Sequence, residues 1–179
     1  MFTVVIFAVV AVLIGLARGG SLSSLAATRV RWLWLVYTGV LVQVAGALLL
    51  SGDVGLVVVI ASNAVIAAFL LANLRLPGMT LAAVGLALNV LVIAANGAMP
   101  VSAEVIEAAG GSDTEEIGGP KHERLTDDTQ FAFLGDAIAV PGLREVLSLG
   151  DVLLALGIAY FVYARTTAEA RRGRHSLAE

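Results

Sequence analysis

Five long apolar runs separated by short polar breaks dominate the chain. The runs cover residues 2–17, 32–50, 54–72, 79–98 and 146–164. A helix rises 1.5 Å per residue and a bilayer core is ~30 Å thick, so about 20 apolar residues cross it. The four longer runs approach this length, and the first reaches ~24 Å as a helix. That first run is apolar apart from Thr3, and its positive charge, Arg18, follows it. A signal peptide carries its charge before the apolar stretch, so this run reads as a retained helix. The pattern predicts an all-α integral membrane bundle of about five transmembrane helices, with residues 1–179 as a single membrane domain.

The breaks carry turn chemistry. Arg18–Arg31 contains Gly19 and Gly20, Ser51-Gly52-Asp53 is a tight turn, and Pro77-Gly78 closes the break that begins at Asn73. From residue 99 to 145 the chain becomes acidic and rich in turns. Ser102 is placed to cap a short helix over Ala103–Ala109, ended by Gly110-Gly111. Residues 110–120 read as a loop. Residues 131–143 are mostly apolar but too short and interrupted to span, so they are expected to lie on the outer end of the bundle or dip into it. This segment is expected to be partly helical and extracytoplasmic. Residues 165–179 form a basic, polar tail.

Composition supports lipid exposure. Hydrophobic residues make up 59% of the chain and charged residues 14%, against about 45–50% and 25% in soluble domains. Charge distribution sets the expected orientation. Arg18, Arg29, Arg31, Arg75, Arg165, Arg171, Arg172 and Arg174 flank one side of the spans, while Lys121, Arg124 and Arg144 flank the other. The positive-inside rule puts the first group in the cytoplasm, hence the N-terminus outside and the C-terminus inside a bacterial inner membrane. The aromatic clusters Trp32/Trp34/Tyr37 and Tyr160/Tyr163 then fall at the inner interface, where amphipathic rings are enriched. The absence of cysteine removes disulfides, thiolate metal sites and CxxC redox chemistry. No cofactor and no metal site is expected, and the basic tail would meet anionic lipid, not nucleic acid.

Five candidate site residues stand out: Asn89, Asn96, His122, Asp136 and Asp151. Asn89 and Asn96 share one helix face with Ala82 and Gly85. Small residues and amides on one stripe are what helix packing in lipid uses, so Gln43, Asn63 and Asn89 read first as packing residues and second as a polar path. Asp151 lies inside the fifth run if the helix starts at Val146. Ionisable groups at such depth are often functional, yet Ser148 and Asp151 also match a capping box. Asp136 sits in apolar surroundings, where an unpaired carboxylate is costly. With Asp127 and Asp128 it is a conceivable hard-oxygen cation site, against the plainer reading of a solvated acidic surface. No nucleophile elbow, phosphate loop, dinucleotide fingerprint or HExxH occurs.

Five segments together resemble a known family: ARGGSLSSLAATRVRW (17–32), NLRLPG (73–78), NVLVIAANGAMPVS (89–102), KHERLTDDTQFAFLGDAIAVPG (121–142) and SLGDVLLALGI (148–158). The resemblance is to small actinobacterial and firmicute membrane proteins grouped only as a domain of unknown function. It implies a five-span bacterial inner-membrane protein and no assigned activity. The matching outer positions are Asn96, Met99, Pro100, His122, Thr126, Asp136, Pro141 and Asp151.

Three functions are compatible with these features. The leading expectation is an accessory or scaffold protein that binds an envelope partner through its outer segment. A small transporter or channel would use Asn89, Asn96 and Asp151, and with no obvious inverted repeat it would need a homo-oligomer. An interfacial or lipid-handling enzyme would use His122 as base, oriented by Asp136 or Asp127.

Overall fold

Gly, Pro and Ser punctuation divides the apolar runs into helices close to those expected. The structure is a computed structural model describing residues 2–50, 52–111, 122–125 and 128–170. The helices are α1 (Phe2–Ala17), α2 (Leu22–Ala26), α3 (Trp34–Leu49), α4 (Gly52–Ala72), α5 (Met79–Asn96), α6 (Ala103–Ala108) and α7 (Leu149–Thr166). Of these, α4, α5 and α7 are long and apolar enough to cross a membrane, while α1 and α3 are shorter apolar helices.

Several boundaries shift for local reasons. Trp32 has a left-handed φ of 54°, so α3 starts after it. Gly97, with φ of 82°, ends α5 in the left-handed conformation glycine tolerates. The last helix begins at Leu149, not Val146, because Val146 and Leu147 are buried in a strand and Ser148 caps the helix. Asp151 therefore sits in the first turn of α7 and not deep within a span.

The segment between α5 and α7 departs from the all-α expectation. It contains α6, capped by Ser102 as predicted, but also a four-stranded sheet. The strands are β1 (Met99–Val101), β2 (His122–Arg124), β3 (Asp136–Val140) and β4 (Glu145–Ser148), in the order β2-β1-β3-β4. β1 pairs in parallel with β2 and β3, and β3 pairs antiparallel with β4. A 3-10 turn over Pro141–Leu143, followed by left-handed Arg144, closes the β3–β4 hairpin. The apolar stretch 131–143 is thus two 3-10 turns, Ala132–Leu134 and Pro141–Leu143, on either side of the inner strand β3, lying across the end of the bundle.

The five long helices form a row. α1 packs on α7, α7 on α5, α5 on α4 and α4 on α3, while no packing seam joins α1 to α3 among the described residues. Successive long helices alternate in direction, so the sheet caps one end of the row and α2 lies at the other, where the Ser21 N–H donates to the Thr166 carbonyl at 2.9 Å. The α5–α7 seam is close. A Cβ on Gly85 would collide with backbone atoms of Gly150 and Leu154, so only glycine permits this approach. At the far end Phe69, Leu70, Met79, Ala82 and Leu86 form a cluster that Leu154, Ile158 and Phe161 join. At the sheet end Val59, Val92 and Ile93 pack with Met99 and Leu134. The outward faces stay apolar and uncovered, with Leu48 and Leu49 78% and 79% exposed. Apolar exposure on this scale is the surface expected of helices bathed in lipid.

Candidate functional site

Asn89 of α5 and Asp151 of α7 meet because both lie on the close α5–α7 seam. The Asn89 Nδ2 donates to Asp151 Oδ1 at 2.7 Å. Ser148 completes the cluster. Its backbone N–H donates to Asp151 Oδ2 at 3.1 Å, and its hydroxyl accepts from the Asp151 N–H at 3.0 Å. These two bonds are the reciprocal pair of a capping box. The Ser148 hydroxyl proton has two acceptors in reach, Asn89 Oδ1 at 2.8 Å and Asp151 Oδ2 at 3.0 Å. Asp151 is thus engaged twice, as a helix cap and as a tie between helices. A Cβ on Gly150 would strike Asn89 Oδ1, so glycine there leaves room for the tie.

Asn96 lies about two turns beyond Asn89 and does something else. Its amide exchanges two hydrogen bonds with the backbone of Gln130, at 2.9 and 2.8 Å, and holds the loop before the Ala132–Leu134 turn against α5. Asn73 makes the same kind of clamp at the far end, exchanging bonds with the Arg31 backbone at 2.9 and 2.8 Å. In both cases the asparagine supplies one donor and one acceptor to a strand of irregular backbone, as a neighbouring strand would.

The row of helices curves around a cavity of about 330 Å³ at the sheet end. All five long helices contribute, through Thr3 of α1, Gln43 of α3, Asn63 of α4, Asn89 of α5 and Asp151 of α7. Asp136, Arg144 and Glu145 stand at the rim on the β3–β4 hairpin. Asp136 is 3% exposed and Arg144 is exposed. Glu145 fastens the end of α1: the Thr3 hydroxyl donates to Glu145 Oε2 at 2.6 Å and the Thr3 N–H at 3.1 Å. A carboxylate at this position also meets the positive end of the α1 dipole. Toward the far end the lining turns apolar, with Ile66, Leu86 and Leu154. Phe69, Leu70 and Met79 then close the bundle, so the cavity is blind.

Asn63 differs from the other amides. It is 7% exposed and lines the cavity. Its side chain makes no hydrogen bond among the described residues, whereas Asn73, Asn89 and Asn96 each make two or more. It lies ~16 Å along α4 from the sheet end at 1.5 Å per residue. An amide that opens onto a cavity and has no hydrogen bond to a described residue can be met there by water or a ligand.

The five sequence candidates divide accordingly. Asn89, Asp136 and Asp151 line one cavity, and Asn96 does not. His122 contributes its backbone to β2 opposite Met99, and its side chain lies outside the described residues, as does Asp127. Asp128 is exposed. Among the described residues no group of three or more His, Asp or Glu side chains is placed to hold a metal ion. Thr3, Arg144 and Glu145 escaped the sequence reading. Thr3 alone gave a signal, as the single polar residue in the first apolar run.

The architecture defines a class: a row of long apolar helices capped at one end by a small mixed sheet, with a polar pocket beneath the cap. The chain belongs to a family of unknown function, DUF5317, whose model matches residues 27–163. Neither a curated protein nor a solved structure matches it.

Proposed function

We propose that the chain is a five-pass protein of a bacterial plasma membrane whose outer half is a blind binding pocket for a small polar or amphipathic molecule. The observation that carries this reading is Asn63, a residue only 7% exposed whose amide makes no hydrogen bond to a described residue and lines a cavity of about 330 Å³. Ligand pockets run from about 300 to 1,000 Å³ and pair apolar walls with a few placed polar groups. The orientation follows from arginine. Arg18, Arg29, Arg31, Arg75 and Arg165 flank the end opposite the sheet, which the positive-inside rule assigns to the cytoplasm. The sheet, the pocket mouth and the N-terminus are then outside. α1 and α3 are each 16 residues long, and a locally thinned bilayer accommodates their ~24 Å. The blind end weighs against a continuous channel, because Phe69, Leu70 and Met79 fill the inner half.

Native mass spectrometry of the protein released from its own membranes in mild detergent tests the pocket. The expected result is a bound small molecule that Asn63→Leu loses and Asn63→Gln retains, with helicity unchanged in both. A bare protein mass, or a bound species unaffected by Asn63→Leu, refutes the reading.

A second reading, an accessory protein docking a partner on its outer surface, is favoured by one observation. Phe133 is 77% exposed beside Phe131 and Ile138, also exposed, on the capping segment. Recovery as a lone monomer under conditions that preserve other envelope complexes counts against it.

A further inference from the structure

Resting on the pocket reading above, we infer that the occupant is a glycerophospholipid of the outer leaflet, admitted sideways between α1 and α3. The geometry of the helix row supplies the route. α1 and α3 are the two ends of the row, both line the cavity through Thr3, Val4 and Gln43, and they share no packing seam among the described residues. The pocket therefore has a side that faces the surrounding lipid. Its volume of about 330 Å³ holds a headgroup and glycerol but not two acyl chains, so a lipid placed here must leave its chains in the gap, and the gap is where the row is open.

The polar groups are ordered along the bilayer normal as a phospholipid's are. The lining at the sheet end carries both signs, in Arg144, Asp136 and Glu145, matching a headgroup that holds a phosphate and an ammonium. Below the rim, Gln43 lies ~9 Å from the end of α3 and Asn63 ~16 Å from the start of α4, at 1.5 Å per residue. Neither amide has a hydrogen bond to a described residue, and each can donate two N–H groups, which suits the ester carbonyls of glycerol. Deeper still the lining is Ile66, Leu86 and Leu154, fit for the first methylenes of a chain. A water-soluble ligand would account for Asn63 but leaves the open side and the apolar floor without a role.

The test uses the full chain reconstituted in vesicles of phosphatidylcholine and phosphatidylethanolamine, with a trace of phosphatidylethanolamine carrying a diazirine near the start of one acyl chain. After irradiation, labelled residues are located by peptide mapping. The expected label falls on residues 43 and 59–66 in excess over Leu41, Leu48 and Leu71, which are exposed on outward faces. Asn63→Leu should lower the inner label about fivefold, the factor equivalent to ~1 kcal/mol for one lost hydrogen bond, while Asn63→Gln preserves it and the outward label stays constant in both. Label confined to outward faces overturns the inference. If the purified protein still carries a small molecule that Asn63→Leu loses, the pocket stands and only the lipid assignment fails. If neither the bound molecule nor the inner label is found, both readings fail.

Discussion

Replacing Asp151 by alanine should destabilise the bundle by more than a surface change does, and the excess should depend on Asn89. Three contributions disappear together. The capping-box bonds between Asp151 and Ser148 are worth about 1 kcal/mol, within a range of about 0.5–2. The charge at the positive end of α7 adds about 0.3–1 kcal/mol. The bond from Asn89 Nδ2, 2.7 Å long, adds about 0.6 kcal/mol on the average for interhelical bonds in membranes, with a ceiling near 1.7. The sum is roughly 2–3 kcal/mol. Only the last part is shared with Asn89, so a cycle of Asp151→Ala, Asn89→Ala and the double variant should show a coupling of about 0.6–1.7 kcal/mol. Equilibrium unfolding in mixed micelles, followed by circular dichroism, measures it. A control cycle pairing Asp151→Ala with Asn96→Ala should be additive, because Asn96 bonds to Gln130 instead. Additivity of the Asn89 cycle within about 0.3–0.5 kcal/mol would refute the interhelical tie.

Two other substitutions probe the frame around the pocket. Gly85→Leu should cost at least the ~1–3 kcal/mol typical of overpacking, since its Cβ meets Gly150 and Leu154 backbone that cannot yield; unfolding at wild-type detergent concentration would contradict the close α5–α7 seam. Thr3→Val should loosen the hold of Glu145 on the start of α1 by removing the 2.6 Å hydroxyl bond, leaving only the 3.1 Å backbone N–H bond. That costs about 1.5–3 kcal/mol for a bond to a charged group, and it should appear as faster amide exchange in the first turns of α1 with α5 unaffected.

Local chemistry made several features readable. Ser102 capped its short helix, Ser148 and Asp151 formed the capping box, and Pro77-Gly78 marked the turn before α5, with Gly78 left-handed at φ 80°. The stripe of Ala82, Gly85 and Asn89 was readable as a packing face, and it is the α5–α7 seam. The sheet was not readable. Its strands have three to five residues, too few for alternation to show, and β1 pairs with strands lying more than twenty residues away in sequence. Starting the last helix at Val146 was the consequence, since Val146 and Leu147 are as apolar as the helix they precede.

Within the sequence alone lay the number and length of the apolar runs, the asymmetry of arginine and the caps, because each depends on neighbours a few residues apart. Gln43, Asn63, Asn89 and Asn96 are amides of one type in similar apolar surroundings, and nothing in their local sequence separates them. Tertiary structure alone decided that Asn89 finds a carboxylate, Asn96 a loop, and Asn63 a cavity. A hydrogen bond between helices is set by which faces pack and how closely the backbones approach, and that is a property of the assembled row, not of any one segment.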